Sequence, residues 1–319
     1  MTTKDLVVYK IISFTDVHLA DKNPISRKDD YKSTILNKLE QIKDICSYKK
    51  ADLALCGGDL FHIKAPTKTS HHLVSQVIDL FNGFPCPVLS IYGNHDISQD
   101  NVSTLPKQPF YTLIKSGAIQ HLTDYFNKDK TVRIFGVDYS SNPEYSDFNR
   151  ETKGEKIQIC VAHVNASSKF NNLFGERVYT YQDLQNTTPN IFIFGHYHPD
   201  QDIEVHNNKH FVNVGSISRG SLKKDDIVRI PAIGYVEISD DFKVTCEKIR
   251  LNALSACEVF DLELKNKEEK EQEEIENFIN EMKSKITVNN EDNLENKIKS
   301  LNFEKSIIDK AMYYYEKVE

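Results

Sequence analysis

No stretch of this chain is apolar over anything near the roughly 20 residues that a membrane-spanning helix needs, and its N-terminus lacks the apolar core of a secretory signal. A cytoplasmic protein with no membrane partner is therefore expected. Cysteine is sparse as well. The six are scattered with no Cys-x-x-Cys, which argues against a disulfide framework or a thiolate metal site. Cys56 and Cys160 fall inside apolar runs and read as reduced core residues. No internal repeat stands out, and a surplus of positive charge is also missing. The net charge is −7, and residues 257–319 alone carry 17 acidic against 10 basic side chains, leaving 30 of each sign before them. Nucleic-acid binding therefore cannot be read from net charge. A basic groove would have to come from local clusters such as Arg27-Lys28, Lys49-Lys50, Lys64 with Lys68, or Lys223-Lys224, each of which also reads as solvated surface.

What the chain does have is 39% hydrophobic residues over 319 positions, enough for one large domain and an appendage. It also has five short apolar, β-branched runs that read as buried strands, each followed by polar residues. Val7 to Phe14 leads to Asp16 and His18, Leu53 to Cys56 leads to Gly57-Gly58-Asp59, and Val88 to Tyr92 leads to Gly93-Asn94-His95-Asp96. Ile157 to Ala162 leads to His163, and Ile191 to Phe194 leads to Gly195-His196-Tyr197-His198. Open α/β sheets place their sites at the C-terminal ends of strands, so these residues are expected to converge in space.

Aspartate, asparagine and imidazole form a mixed oxygen and nitrogen donor set suited to manganese, iron or zinc rather than calcium. Asp16 and His18, two apart just past a strand, can turn toward one ion. Asp59 has two carboxylate oxygens and is the best bridge between two ions, while Gly57 and Gly58 allow a tight turn and close approach. Two divalent cations facing two carboxylates leave a positive pocket suited to a phosphodiester. Each signature alone has a plainer reading: Asp16 and His18 as a cap, Gly93 to Asp96 as a turn, His163 as a core histidine, and His196 and His198 as solvated turn residues. Their joint occurrence in one order, each after an expected strand, favours the metal site.

These motifs resemble the calcineurin-like metallophosphoesterase superfamily over roughly residues 7 to 250. The sequence Leu60-Phe61-His62 after Asp59 is similar to its SbcD-type, Mre-eleven-like nuclease branch. The resemblance implies a four-layer αββα sandwich, two mixed β-sheets flanked by helices, with a small C-terminal α/β or helical appendage. It implies a first metal held by Asp16, His18, Asp59 and His198, and a second by Asp59, Asn94, His163 and His196, with a hydroxide bridging them. Manganese is the expected metal, with iron, zinc or magnesium as alternatives. His95 would protonate the leaving oxygen, Asp96 would orient His95, and His62 would stand near the scissile phosphate in exonuclease action.

Other candidates carry less. His71 and His72 lie in an expected surface helix, and His121, His206 and His210 have no motif behind them. Asn213-Val214-Gly215-Ser216 is similar to the family's Asn-Pro-Gly-Ser loop, with Val214 where proline is usual. Arg219 reads equally as a phosphate contact and as surface.

The expected organisation is a phosphoesterase domain at 1–250 and a C-terminal segment at 251–319. In the first, helices are expected from Asp30 to Tyr48 and Thr69 to Phe84, with late strands at His210 to Val214, Ile233 to Ile238 and Val244 to Ile249. In the second, Glu258 to Leu264 alternates like a strand, and two amphipathic helices follow. These helices either pack within the chain or, as the resemblance implies, dock on an SbcC-type coiled-coil ATPase, although the segment is shorter than the family's usual extension. The resemblance also implies DNA as substrate, a homodimer, and a role in DNA repair and recombination as exonuclease on duplex ends and endonuclease on single strands. Two alternatives stay open: a small-molecule phosphodiesterase or phosphatase using the same site, and a non-catalytic scaffold.

Overall fold

The computed structural model describes residues 7–62, 69–98, 101–140, 142–169, 177–263 and 308. The chain divides into two compact units, Met1–Phe260 and Asp261–Glu319. The amphipathic helices expected near the C-terminus lie outside the described residues, so the fold below is that of the first unit.

Four parallel strands open the chain: β1 (Val7–Phe14), β2 (Leu53–Cys56), β3 (Val88–Ser90) and β4 (Gln120–His121). The next segments form a second sheet, from β5 (Asp124–Phe126), β6 (Val132–Val137) and β7 (Ile157–Val164). The short β8 (Ala166–Ser167) and β9 (Tyr179–Thr180) pair only with each other. The second sheet is completed by β10 (Ile191–His196), β11 (Glu204–His206) and β12 (Lys209–Val212). The chain then returns to the first sheet with β13 (Ala232–Ser239), antiparallel to β1, and β14 (Val244–Arg250). The strand orders are β14-β13-β1-β2-β3-β4 and β11-β12-β10-β7-β6-β5. Both sheets are mixed, because β13, β5 and β11 run against the direction of the other strands, β14 running with β1 beyond β13.

Alternation along the strands sorts the apolar residues into three cores. Ile11, Leu53, Leu55 and Leu89 of the first sheet meet Ile134, Ile159, Val161 and Ile193 of the second in a buried inter-sheet layer. On the outer face of the first sheet, Ile12, Phe14, Ala54 and Cys56 pack against helices α1 (Tyr31–Lys49), α2 (His71–Asn82) and α3 (Pro109–Ser116). On the outer face of the second, Phe135, Cys160, Phe192 and Phe211 pack on Phe148 and on Tyr181 of the one-turn helix α4 (Tyr181–Leu184). The result is the expected four-layer sandwich.

Local chemistry sets the element ends. Asp30 caps α1 by accepting from Ser33 N, and Ser70 caps α2 by accepting from Leu73 N. After the short helix α5 (Lys224–Val228) and β14, one further helical turn, α6 (Ala256–Val259), closes the unit. Glu258 to Leu264 was expected as a strand, yet Glu258 lies in that turn: Ser255 and Glu258 form a reciprocal capping box that favours helix over the apolar alternation.

Candidate metal centre

Every expected donor sits at or just past the C-terminal end of a parallel strand, on the edge where the two sheets meet. Asp16 and His18 follow β1, Asp59 follows β2, and Asn94, His95 and Asp96 follow β3. His163 lies near the end of β7, His196 ends β10, and His198 is two residues beyond. Register holds the second-sheet donors together, since His163 pairs with Gly195 across the ladder.

Bringing so many donors together requires unusual backbone. Asp16, His18, Asp59 and His196 all have positive φ, between 50° and 84°, a region costly for residues with a Cβ and concentrated at functional sites. The turns carrying them are tied to each other: Asp16 N donates to Gly58 O, His18 N to Asp59 O, and His196 N to the Asp16 carboxylate. Gly93 is required by space, because a Cβ there would lie 2.0 Å from Asp59 Oδ1 and 2.5 Å from His163 Cε1.

Two donor groups result. In the first, His18 Nε2 and His198 Nε2 are 3.0 Å apart, with Asp16 Oδ1 3.6 Å from His198 Nε2 and Asp59 Oδ2 3.8 Å from His18 Nε2. In the second, Asn94 Oδ1 is 3.2 Å from both His163 Nε2 and His196 Nδ1, and Asp59 Oδ2 is 3.5 Å from His163 Nε2. Atoms held about 2.1 Å from a common ion lie about 3.0 Å apart at right angles and about 4.2 Å apart when opposite, so both groups have the spacing of ligands. Asp59 belongs to both. His163 Nδ1 stands 2.7 Å from Gly57 O, which fixes the tautomer that turns the Nε2 lone pair inward.

The electrostatics agree with a cation centre. Burial pushes the Asp59 carboxyl up, but the imidazoles of His163, His18 and His95 together hold it below the usual carboxylate range. Burial lowers His163, yet the Asp59 and Asp16 carboxylates raise it to about 9. Burial and the His198 ring hold His18 well below the usual histidine value, toward the neutral form that binds metal.

Asp96, Arg219 and the Asn213 to Ser216 loop stand differently from expectation. The Asp96 carboxyl accepts from Asp59 N, Leu60 N, Phe61 N and Gly93 N, so it joins the two turns carrying Asp59 and His95. The direct partner of the His95 ring is instead His62 O, 2.7 Å from Nδ1, and Asp96 positions His95 through the backbone. Burial and the Asp59 charge raise the Asp96 carboxyl. Arg219 neither faces the donors nor lies on the surface: it is buried, donates to Leu254 O and lies over Phe260. The Asn213 to Ser216 loop is tied to the centre without a proline. Asn213 Oδ1 accepts from Gly215 N, and Ser216 Oγ donates to Asp16 O.

Thr15 had no sequence signal beyond its place beside Asp16. Its Oγ1 donates to Asp16 Oδ2 at 2.7 Å, restraining the carboxylate. His62 and His95 stack with ring centroids 5.3 Å apart at the mouth of a groove of about 580 Å³, which runs past Tyr31 and Ser218 to Lys223. The clusters Arg27-Lys28 and Lys49-Lys50 do not line that groove, whereas Lys223 does, beside Asp225 and Asp226.

Comparison with known proteins gives the family. Residues 9–200 match the family described as calcineurin-like phosphoesterase. The double-strand break repair protein MRE11 of Encephalitozoon cuniculi (strain GB-M1) is 22% identical over 86% of this chain and 52% of its own length. That of Arabidopsis thaliana is 29% identical over 30% of this chain and 18% of its own. The chain thus spans about half the length of the first relative and under a fifth of the second. A dimetal phosphatase from Danio rerio aligns in structure over 77% of this chain and all of its own, with a TM-score of 0.48 and 12% identity. No helix among the described residues is long and apolar enough to cross a membrane.

Proposed function

The chain belongs to the calcineurin-like phosphoesterase family, a metal-dependent hydrolase family, and from that premise we propose that it is a two-metal DNA nuclease. In this reading it acts as the nuclease subunit beside an SbcC-type ATPase in DNA repair and recombination. The observation that carries the two-metal part is the pair of overlapping donor groups sharing Asp59. Asp16, His18, Asp59 and His198 would hold the first ion, and Asp59, Asn94, His163 and His196 the second, with Mn²⁺ the best match to this donor set. The cations would neutralise phosphate charge and supply a water nucleophile at neutral pH.

The remaining work falls to the chain. Water attacks phosphorus in line with the departing oxygen and gives up a proton to solvent, the P–O bond opposite breaks, and the departing oxygen must take up a proton. His95 is placed to give it: its Nδ1 is engaged by His62 O, so Nε2 is the atom free to deliver the proton. Protonation of the 3′ oxygen leaves the phosphate on the 5′ side. His62, exposed at the groove mouth and stacked on His95, would position the scissile phosphate. The DNA reading is supported by the MRE11 match over 86% of the chain.

One observation favours a second reading, a smaller diester or monoester as substrate. Among the described residues lining the groove, Lys223 is the sole lysine or arginine, and it stands beside two aspartates. An end-labelled linear duplex and a chromogenic phosphodiester, each incubated with Mn²⁺ and the protein, separate the two. Stepwise shortening of the duplex by wild type but not by His95→Ala supports the nuclease. Turnover of the diester with an intact duplex supports the smaller substrate.

A further inference from the structure

A second convergence of nitrogen donors overlaps the centre: it shares His18 with the first proposed metal site and adds His62 and His95, which belong to neither. Ring nitrogens of His18, His62 and His95 all lie within 4.8 Å of one another. The rings of His62 and His95 are stacked at 15°, and His18 meets both edge-on, 5.4 Å and 4.8 Å between centroids. Nitrogens around a tetrahedral ion at about 2.0–2.1 Å stand about 3.3 Å apart. The three nitrogens are spread up to 4.8 Å, wider than that spacing, and His62 is the exposed ring of the three.

The surroundings of the three rings suit ligation. His95 Nδ1 is engaged by a main-chain carbonyl, an arrangement that orients metal-bound histidines and turns the Nε2 lone pair outward. Among the described residues, His18 Nδ1 is buried with no hydrogen-bond partner, in contrast to His163 Nδ1 beside Gly57 O. His18 is therefore not locked to one tautomer by an outer acceptor. The donor sets also differ in kind. The two proposed catalytic sites mix carboxylate or amide oxygen with imidazole, whereas this group is all imidazole, which favours zinc, copper or nickel over manganese.

We propose that His18, His62 and His95 form an inhibitory cation site that selects Zn²⁺ over Mn²⁺. The inference rests on the reading of His95 as proton donor, since an ion there occupies the Nε2 needed for the departing oxygen. It also draws on His18, and so weakens the first proposed site from the other side.

The test is equilibrium dialysis of metal-free protein against Mn²⁺ and Zn²⁺ separately, for wild type, His62→Ala and His62→Gln. Both substitutions should weaken the tightest Zn²⁺ binding at least about tenfold, the loss typical of one ligand or its support, and leave Mn²⁺ binding unchanged. Zn²⁺ added to the Mn²⁺-loaded protein should inhibit diester hydrolysis by wild type at concentrations that spare the residual rate of either variant. Zn²⁺ affinity equal in all three proteins overturns the proposal, as does equal inhibition. So does a parallel loss of both metals, which would report damage to the fold. Failure of wild type to bind Mn²⁺ at all would instead sink the two-metal reading.

Discussion

Asp16, His18, Asp59 and His196 each adopt positive φ, at a cost on the order of 1–3 kcal/mol apiece. They stay there because the turns hold one another, and Asp96 is the residue that holds most, with four main-chain N–H groups on one buried carboxyl. Asp96→Asn replaces one acceptor oxygen by an amide donor facing N–H groups. It should destabilise the protein by about 1–3 kcal/mol, the cost of an unsatisfied buried group, readable as a lower urea midpoint. His95→Gln tests a different link, since the ring is the proposed proton donor and holds neither proposed metal. Its kcat should fall about 10²- to 10⁴-fold while Mn²⁺ binding measured by dialysis is retained. Asp59→Asn should lose both, because the carboxylate is shared by the two donor groups; undiminished turnover in either variant would overturn the mechanism.

Between elements, the turn after β3 is steadied from the second sheet. Asp138, just past β6, accepts from Tyr92 N and from His121 Nε2 at the end of β4, and the His121 ring stacks on Tyr92. The Asp138 hydrogen bond and charge raise His121 above the ordinary histidine value, with burial opposing. A raised folded value means that the link's contribution is complete below the unfolded value of about 6.5 and is lost as pH rises through the folded one. His121→Ala should therefore cost about 0.5–1 kcal/mol near pH 6, as for partly exposed pairs, and less by about pH 9; a cost independent of pH in paired urea titrations would refute the link. This pair also shows where sequence reading stops. The five site-bearing strands were legible because β-branched runs end in glycine, aspartate or histidine, and the helices were legible too, the first from its cap Asp30 and the second from Thr69, beside its cap Ser70. β4 and β5 are two and three residues long, too short for periodicity to register, so His121 carried no signal. Asp138 had none either, because its role comes from contact between two sheets. Glu258 misled because apolar alternation from Glu258 to Leu264 hides the shorter capping box of Ser255 and Glu258.

At the scale of the molecule, each sheet supplies half of the centre. The first gives Asp16, His18, Asp59 and Asn94, and the second gives His163, His196 and His198. A cation bound to both halves is therefore a further cross-link between layers already joined by the apolar contacts of the inter-sheet core and by hydrogen bonds such as that from His196 N to the Asp16 carboxylate. Without it, the buried carboxylates are offset only in part by the neighbouring imidazoles, and burying polar groups so incompletely paired costs folding free energy. Binding to the folded state alone stabilises by about 2.7 kcal/mol when the free ion stands at 100 times its Kd. Mn²⁺ should thus raise the Tm of the chelated protein by several degrees, about 1–2 °C per kcal/mol for a chain of this size by extension of the usual entropy per residue. His163→Gln should abolish most of that rise without lowering the Tm of the chelated protein to the same extent, because the lost group is a ligand more than a packing element. A Tm indifferent to Mn²⁺ in wild type would mean that the donors of the two sheets do not close on a common ion.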